Sequence, residues 1–268
     1  MELSDKVAVV TGGASGIGRA LAERFAQEGA RGVVVADLQA KQAEEVATAI
    51  GDGALGVACD VTDDHQVGEL IARAEERFGA IDVFCANAGI AVGAGLEAPD
   101  ETWDAVLAVN TRAHILAARR LIPGWVERGE GYFVSTASAA GLLSQIGDAT
   151  YAVSKHAAVA FAEWLAITYG DDGVRVSCLC PQGVDTPLLR GGLDADAGDE
   201  RLGAQVVAAA GELLSPEQVA GDVVDAMREE RFLVLPHAQV LEFLQRKASD
   251  YDRWIGGMRR LQRQVRGA

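Results

Sequence analysis

Two side chains with complementary chemistry stand four residues apart in this 268-residue chain, the phenol of Tyr151 and the ammonium of Lys155. Their segment, Thr150 to Tyr169, carries its residues at helical period, and four helical positions bring two side chains to within about 40° of each other on one face. A phenol has a pKa near about 10, and a neighbouring ammonium favours its phenolate. Such a pair can take up or return a proton near neutral pH, the work of a general base or acid.

A Tyr-x-x-x-Lys pair alone is common, and its company makes it specific. Ser138 lies thirteen residues upstream, just past an apolar run, within Ser135, Thr136, Ala137, Ser138, Ala139, Ala140 and Gly141. Asn110 follows Ala108 and Val109 in a long segment of helical period. Taken singly, Ser138 reads equally as a loop cap, Asn110 as a kink and Lys155 as a solvated helix lysine; at these joint spacings they read as one site.

A second set of residues suits a dinucleotide. The first β-rich run, Val7 to Val10, leads into Thr11, Gly12, Gly13, Ala14, Ser15, Gly16, Ile17 and Gly18, and then a helix. Glycines there allow a tight turn and let backbone N–H groups approach a pyrophosphate at the helix N-terminus. The next run ends in Asp37, about 20 residues after the glycines, where a carboxylate meets a ribose 2′-hydroxyl and repels a 2′-phosphate. With no basic residue at Gly13, Ala14 or Leu38, NAD is expected over NADP. Asp60 and Val61 after the third run stand where adenine would lie, and Asn87, Ala88 and Gly89 after the fourth also fit a bound dinucleotide; both stretches read equally as plain turn residues.

The elements that must position these residues alternate strictly. Strands are expected over Val7–Val10, Gly32–Ala36, Gly56–Cys59, Ile81–Ala86, Tyr132–Ser135, Val174–Cys180 and Phe232–Leu235. Helices are expected over Gly18–Gln27, Gln39–Ile50, His65–Phe78, Thr102–Val126, Thr150–Tyr169 and Pro216–Glu229. This rhythm predicts one α/β domain, a doubly wound parallel sheet of about seven strands covered by helices on both faces, over residues 1–237. Residues 238–268 are expected to form a C-terminal helical extension of the same domain. Leu188 to Gly211, rich in Gly, Asp and Ala, is expected to be a flexible excursion of the kind that becomes a lid.

Bulk properties narrow the function. A net charge of −15, from 24 basic and 39 acidic residues, disfavours nucleic acid, whose binding needs a basic stripe. No apolar run approaches the roughly 18 residues of a membrane span, and the first residues lack the pattern of a signal peptide, so a cytoplasmic location is expected. The four cysteines and four histidines show no metal-site spacing, so no metal is expected and the cysteines are read as reduced core residues. The extension carries seven basic residues against three acidic ones and is expected to dock on an acidic body.

In this order the glycine turn, the Asn87-Ala88-Gly89 triplet, Asn110, Ser138 and the Tyr151/Lys155 pair closely resemble the short-chain dehydrogenase/reductase family. The resemblance runs from about Lys6 to Thr186. It implies a Rossmann-like fold, a bound nicotinamide dinucleotide and an oxidoreductase interconverting a secondary alcohol and a ketone. It further implies that Ser138 hydrogen-bonds the substrate oxygen, Tyr151 exchanges its proton, Lys155 holds the nicotinamide ribose while lowering the tyrosine pKa, and Asn110 supports a water relay. Pro181, Val184 and Thr186 match the family's turn at the nicotinamide carboxamide. Gln182 stands where the family has glycine, so this turn is expected to be rebuilt, with Gln182 a candidate to face the pocket.

Leu142, Leu143, Gln145, Ile146, Leu188, Leu189, Val92 and Leu96 are the expected substrate-side residues and suit an apolar alcohol or ketone. The alternatives are a 3-oxoacyl thioester reductase and a non-catalytic NAD(H) sensor or scaffold, the latter having no need of a proton relay. Tyr151 to Tyr169 is apolar almost all round, which predicts a homodimer or homotetramer with this helix and the Thr102–Val126 helix at an interface.

Overall fold

A computed structural model describes residues 1–195, 198–209 and 211–267. Seven strands form the sheet: β1 (Val7–Thr11), β2 (Gly32–Asp37), β3 (Ala54–Ala58), β4 (Val83–Ala86), β5 (Gly131–Thr136), β6 (Val174–Leu179) and β7 (Leu233–Val234). All pair in parallel, in the order β3-β2-β1-β4-β5-β6-β7. The chain winds outward from β1 to β3, then returns to the other side of β1 at β4, so a crevice opens beyond the carboxyl ends of β1 and β4.

The strands are buried on both faces because their side chains alternate between two cores. Val7 and Val9 join one cluster, Ala8 and Val10 the other. The helices that cover the Ala8/Val10 face are α1 (Gly16–Gln27), α2 (Ala40–Ile50) and, late in the chain, Pro216–Arg228, through Leu21, Phe25, Val46, Val223 and Met227. On the Val7/Val9 face lie α3 (Asp64–Phe78) and two helices farther along the chain, Ala113–Arg128 and Ala149–Tyr169, through Leu70, Trp125 and Leu165.

One expected helix is broken. Thr102–Val126 divides into α4 (Asp100–Leu107), a wider π-helical turn over Ala108–Arg112, and α5 (Ala113–Arg128). The extra residue in that turn turns Asn110 inward, where it is fully buried. Beyond β5 follow the short α6 (Ala140–Leu143) and the long α7 (Ala149–Tyr169).

Most of the described part of the stretch expected to be a flexible excursion is helical, in α8 (Pro187–Asp194) and α9 (Asp199–Ala209); residues 196, 197 and 210 of it lie outside the described residues. Thr186 caps α8, its hydroxyl accepting from Leu189 N, and Pro187 begins it with a preset backbone angle. After α10 (Pro216–Arg228) and β7, the chain ends in α11 (Gln239–Ser249) and α12 (Tyr251–Val265). These two dock mainly through apolar contacts rather than charge. Val240, Phe243 and Trp254 pack against Ala139 and Leu143, while Met258, Leu261 and Val265 pack on Ile146 and on Leu202 and Val206 of α9. An Arg266–Asp199 ion pair at 3.3 Å adds to this. Among the described residues no helix is long and apolar enough to cross a membrane.

Candidate active site

The glycine turn is built by contacts that only glycine permits. Gly12 has φ +63°, and a Cβ there would sit 2.9 Å from Ala88 Cα. Beside it the Thr11 hydroxyl donates to Cys85 O and accepts from Asn87 N at 2.9 Å, and the Asn87 amide donates to Thr11 O at 3.0 Å. Asn87 thus ties the ends of β1 and β4 together and fixes the mouth of the crevice. At its far end, Asp37 accepts from Ala14 N at 3.1 Å and from Gln39 N at 3.0 Å, which holds its carboxylate against the glycine turn.

A cleft of about 460 Å³ runs from Asp37 along the ends of β1, β4, β5 and β6. Every residue expected to bind the dinucleotide lines it: Gly12, Ser15, Gly16, Ile17, Gly18, Asp37 and Leu38 at one end, then Asp60, Val61, Asn87, Ala88 and Gly89, and Pro181, Val184 and Thr186 near the other. Ser138, Tyr151 and Lys155 line the same cleft.

Asn110 does not. Its side chain accepts from Ile90 N and donates to Ile90 O, both at 2.8 Å, and donates to Ser154 Oγ at 3.0 Å. It therefore clamps the strand-end loop after β4 to α7, with Gly89 between it and Lys155. A Cβ on Gly89 would lie 3.3 Å from Lys155 Nζ and 3.4 Å from Asn110 Oδ1.

Lys155 is 2 % exposed, donates from Nζ to Thr136 O at 2.9 Å, and sits 5.6 Å from the centre of the Tyr151 ring. Burial pushes its ammonium down to about 8. Enclosure pushes the Tyr151 phenol up, and the Ser138 hydroxyl beside it offsets part of that rise. The Tyr151 phenol thus lies between a hydroxyl and a cation. Ionising it at neutral pH takes positive charge close by, which Lys155 and an oxidised nicotinamide ring would provide.

Asp148 is the site residue that sequence reasoning missed. Only 5 % exposed, it caps α7 by accepting from Tyr151 N at 2.8 Å, and it accepts from Thr150 Oγ1 at 2.7 Å. Its other oxygen accepts from Val92 N at 3.1 Å and Gly93 N at 2.8 Å. One carboxylate thus fixes both the first turn of the Tyr151 helix and the cleft loop after β4. An Asp three residues before Tyr151 at a helix start was a legible cap signal; its second pair of donors was not. Asp148→Ala is expected to cost about 3 kcal/mol of stability, from one lost cap and two unpaired loop amides. Chemical denaturation measures it, and a loss under about 1 kcal/mol would contradict this role.

The substrate side differs from expectation. Gln145, Leu188 and Leu189 line the cleft, whereas Leu143 and Ile146 turn into the packing of α11, α9 and α12, and Leu142 packs toward the same core. Val92 and Leu96 are 38 % and 96 % exposed and lie outside the lining. Helix α9 seats on Gly93, φ +61°, where any Cβ would collide with the Glu200 backbone, and the Gln145 amide donates to Gly203 O at 3.2 Å. Helix α9 is therefore docked beside the cleft by a close backbone approach at Gly93 and by the Gln145 side chain.

A parallel sheet of this winding, with a glycine turn and a Ser, Tyr and Lys set in one crevice, defines a family. The chain belongs to the short chain dehydrogenase family, whose model matches residues 6–195, and is an enzyme of the oxidoreductase class. It is similar to 1-deoxy-11-beta-hydroxypentalenate dehydrogenase of Streptomyces exfoliatus, 42 % identical over 246 residues covering 89 % of this chain and 85 % of that one. It is also similar to 2-(R)-hydroxypropyl-CoM dehydrogenase of Xanthobacter autotrophicus, 39 % identical over 70 % of this chain and 78 % of that one. Among solved structures, a short chain dehydrogenase/reductase from Burkholderia phymatum in complex with NAD superposes with a TM-score of 0.85. It is 31 % identical, with 94 % of this chain and 96 % of that one covered.

Proposed function

We propose that this protein interconverts a secondary alcohol and a ketone by hydride transfer to or from NAD, with Tyr151 exchanging the hydroxyl proton. The observation that carries this reading is the convergence of Ser138, Tyr151 and Lys155 on one wall of a cleft whose other end is closed by Asp37. The NAD-bound neighbour and the dehydrogenase relatives support it. Bound NAD would supply the hydride acceptor. Ser138 would hold the substrate oxygen, Tyr151 would accept the proton from it, and Lys155 would favour the phenolate. The buried Lys155 is the only basic residue among the described lining residues, which disfavours an acyl thioester carried on a phosphate-bearing arm. A sensor would gain nothing from burying that ammonium.

The carboxylate of Asp37, fixed by Ala14 N and Gln39 N, sets the choice of NAD over NADP. Asp37→Ser is expected to narrow the NAD/NADP preference by at least roughly tenfold, since a like-charge repulsion is removed. Paired titrations of NADH and NADPH measure the ratio, and an unaltered ratio would sink the assignment.

The outer face of α7 leaves Val153, Trp164 and Ile167 exposed at 49 %, 51 % and 83 %. So much apolar surface on one helix suits burial against a second copy, as a homodimer or homotetramer in the cytoplasm. Light scattering at micromolar concentration is expected to return two or four chain masses; a monomer refutes this assembly.

A further inference from the structure

The loop after β6, Pro181 to Val184, is gripped from behind by residues that follow β7. Gln182 N–H donates to His237 Nδ1 at 3.2 Å, so that nitrogen is the acceptor and the ring proton sits on Nε2. His237 Nε2 faces Gly183 O at 3.1 Å and Glu212 O at 3.2 Å. His237 is 4 % exposed, and both ring nitrogens are thereby used. The side chain of Gln182 is held as well, its Oε1 accepting from Gln239 Nε2 at 3.2 Å. Gln239 begins α11, which is anchored by the fully buried Val240 against Ala139 and Leu143. The amide NH2 of Gln182 has no protein partner among the described residues, and Gln182 borders the cleft.

We propose that Gln182 is a specificity-determining residue that donates a hydrogen bond from its NH2 to a second acceptor oxygen on the substrate, with His237 and Gln239 as positioning residues that aim it. The substrate class is then a secondary alcohol bearing another hydroxyl, ether or carbonyl oxygen. This inference rests on the alcohol oxidation proposed above. One end of the amide is fixed by Gln239 and the backbone by His237, so little rotamer freedom is lost when the free end meets its acceptor. A polar donor built into a largely apolar wall also penalises a substrate that leaves it unpaired.

The test compares NADH formation from cyclohexanol with that from the 1,2-, 1,3- and 1,4-cyclohexanediols, together with NADH affinity by fluorescence. The proteins are the full chain and its Gln182→Met, Gln239→Ala, His237→Ala and His237→Asn variants. The full chain is expected to favour at least one diol by roughly threefold to tenfold in kcat/KM, beyond the statistical advantage of two hydroxyls. Gln182→Met is expected to abolish that preference and Gln239→Ala to reduce it. His237→Asn should retain more of it than His237→Ala, because an Asn oxygen can accept from Gln182 N–H. Gln239→Ala carries the test alone if Gln182→Met does not fold. Equal kcat/KM for all four alcohols, or a preference that survives Gln182→Met, overturns the inference while leaving alcohol oxidation standing. So does a change confined to NADH affinity, which would assign the donor to the cofactor. No NADH from any of the alcohols contradicts the oxidation itself, and this inference with it.

Discussion

Tyr151→Phe is expected to lower turnover by about 10²- to 10⁴-fold while NADH affinity stays within about twofold. Phenylalanine keeps the ring that lies on the cleft wall and beside Lys155, so the substitution removes only the hydroxyl proposed to exchange the proton. That hydroxyl is tuned by opposing effects: enclosure raises its pKa, and the Ser138 hydroxyl lowers it. Because the Ser138 hydroxyl acts on that phenol, a Ser138→Ala variant should be non-additive with Tyr151→Phe. Single-turnover kinetics separate chemistry from cofactor release. Undiminished turnover of a working alcohol by the Phe variant would remove Tyr151 from the mechanism.

Lys155→Met is expected to lose turnover by about 10²-fold or more and yet to unfold at a higher temperature than the unmodified chain at pH 7. Burial holds the ammonium at about 8 instead of 10.5, a difference worth about 3 kcal/mol. Below pH 8 the group is charged in both folded and unfolded chains, so the folded state bears the whole penalty. Between pH 8 and 10.5 the folded chain has released a proton that the unfolded chain still holds, and the penalty fades as pH rises. Loss of the 2.9 Å bond to Thr136 O takes back about 1 kcal/mol. The stability gain should therefore be largest near neutrality and should shrink by pH 10. Calorimetry at both pH values measures it, and a variant less stable than the parent at pH 7 would show that the ammonium is structural.

Much of this was legible because two signals reinforce each other locally. Val7 to Gly18 contains a strand, a glycine turn and a helix start within one short stretch, and Asp37 follows at the end of the next strand. Apart from Tyr151 and Lys155, which lie one helical turn apart, the residues expected to bind the dinucleotide stand at or just beyond strand ends, where periodicity places them. What was illegible depended on contacts between distant segments. Thr102 to Val126 has continuous helical period, whereas the π turn at Asn110 accompanies contacts of its side chain with the backbone of Ile90, twenty residues away. Leu143 and Ile146 look like cleft residues until α11, α9 and α12 cover them. The segment after β6 is rich in Gly and Asp, yet Thr186 and Pro187 start a helix there, and α9 gains its stability from Ile146 and the extension. Gln182 stood out as a departure from the family turn, but its partners lie more than fifty residues away, at His237 and Gln239.

The most direct test follows the hydrogen that leaves the substrate. Cyclohexanol deuterated at its carbinol carbon is incubated with NAD and the full chain, and the reduced cofactor is examined by mass spectrometry and NMR. Hydride transfer between alcohol and NAD predicts one deuterium at C4 of the nicotinamide ring, formed far more slowly by Tyr151→Phe. Reduced cofactor without deuterium, or no reduction across a panel of secondary alcohols, would contradict it.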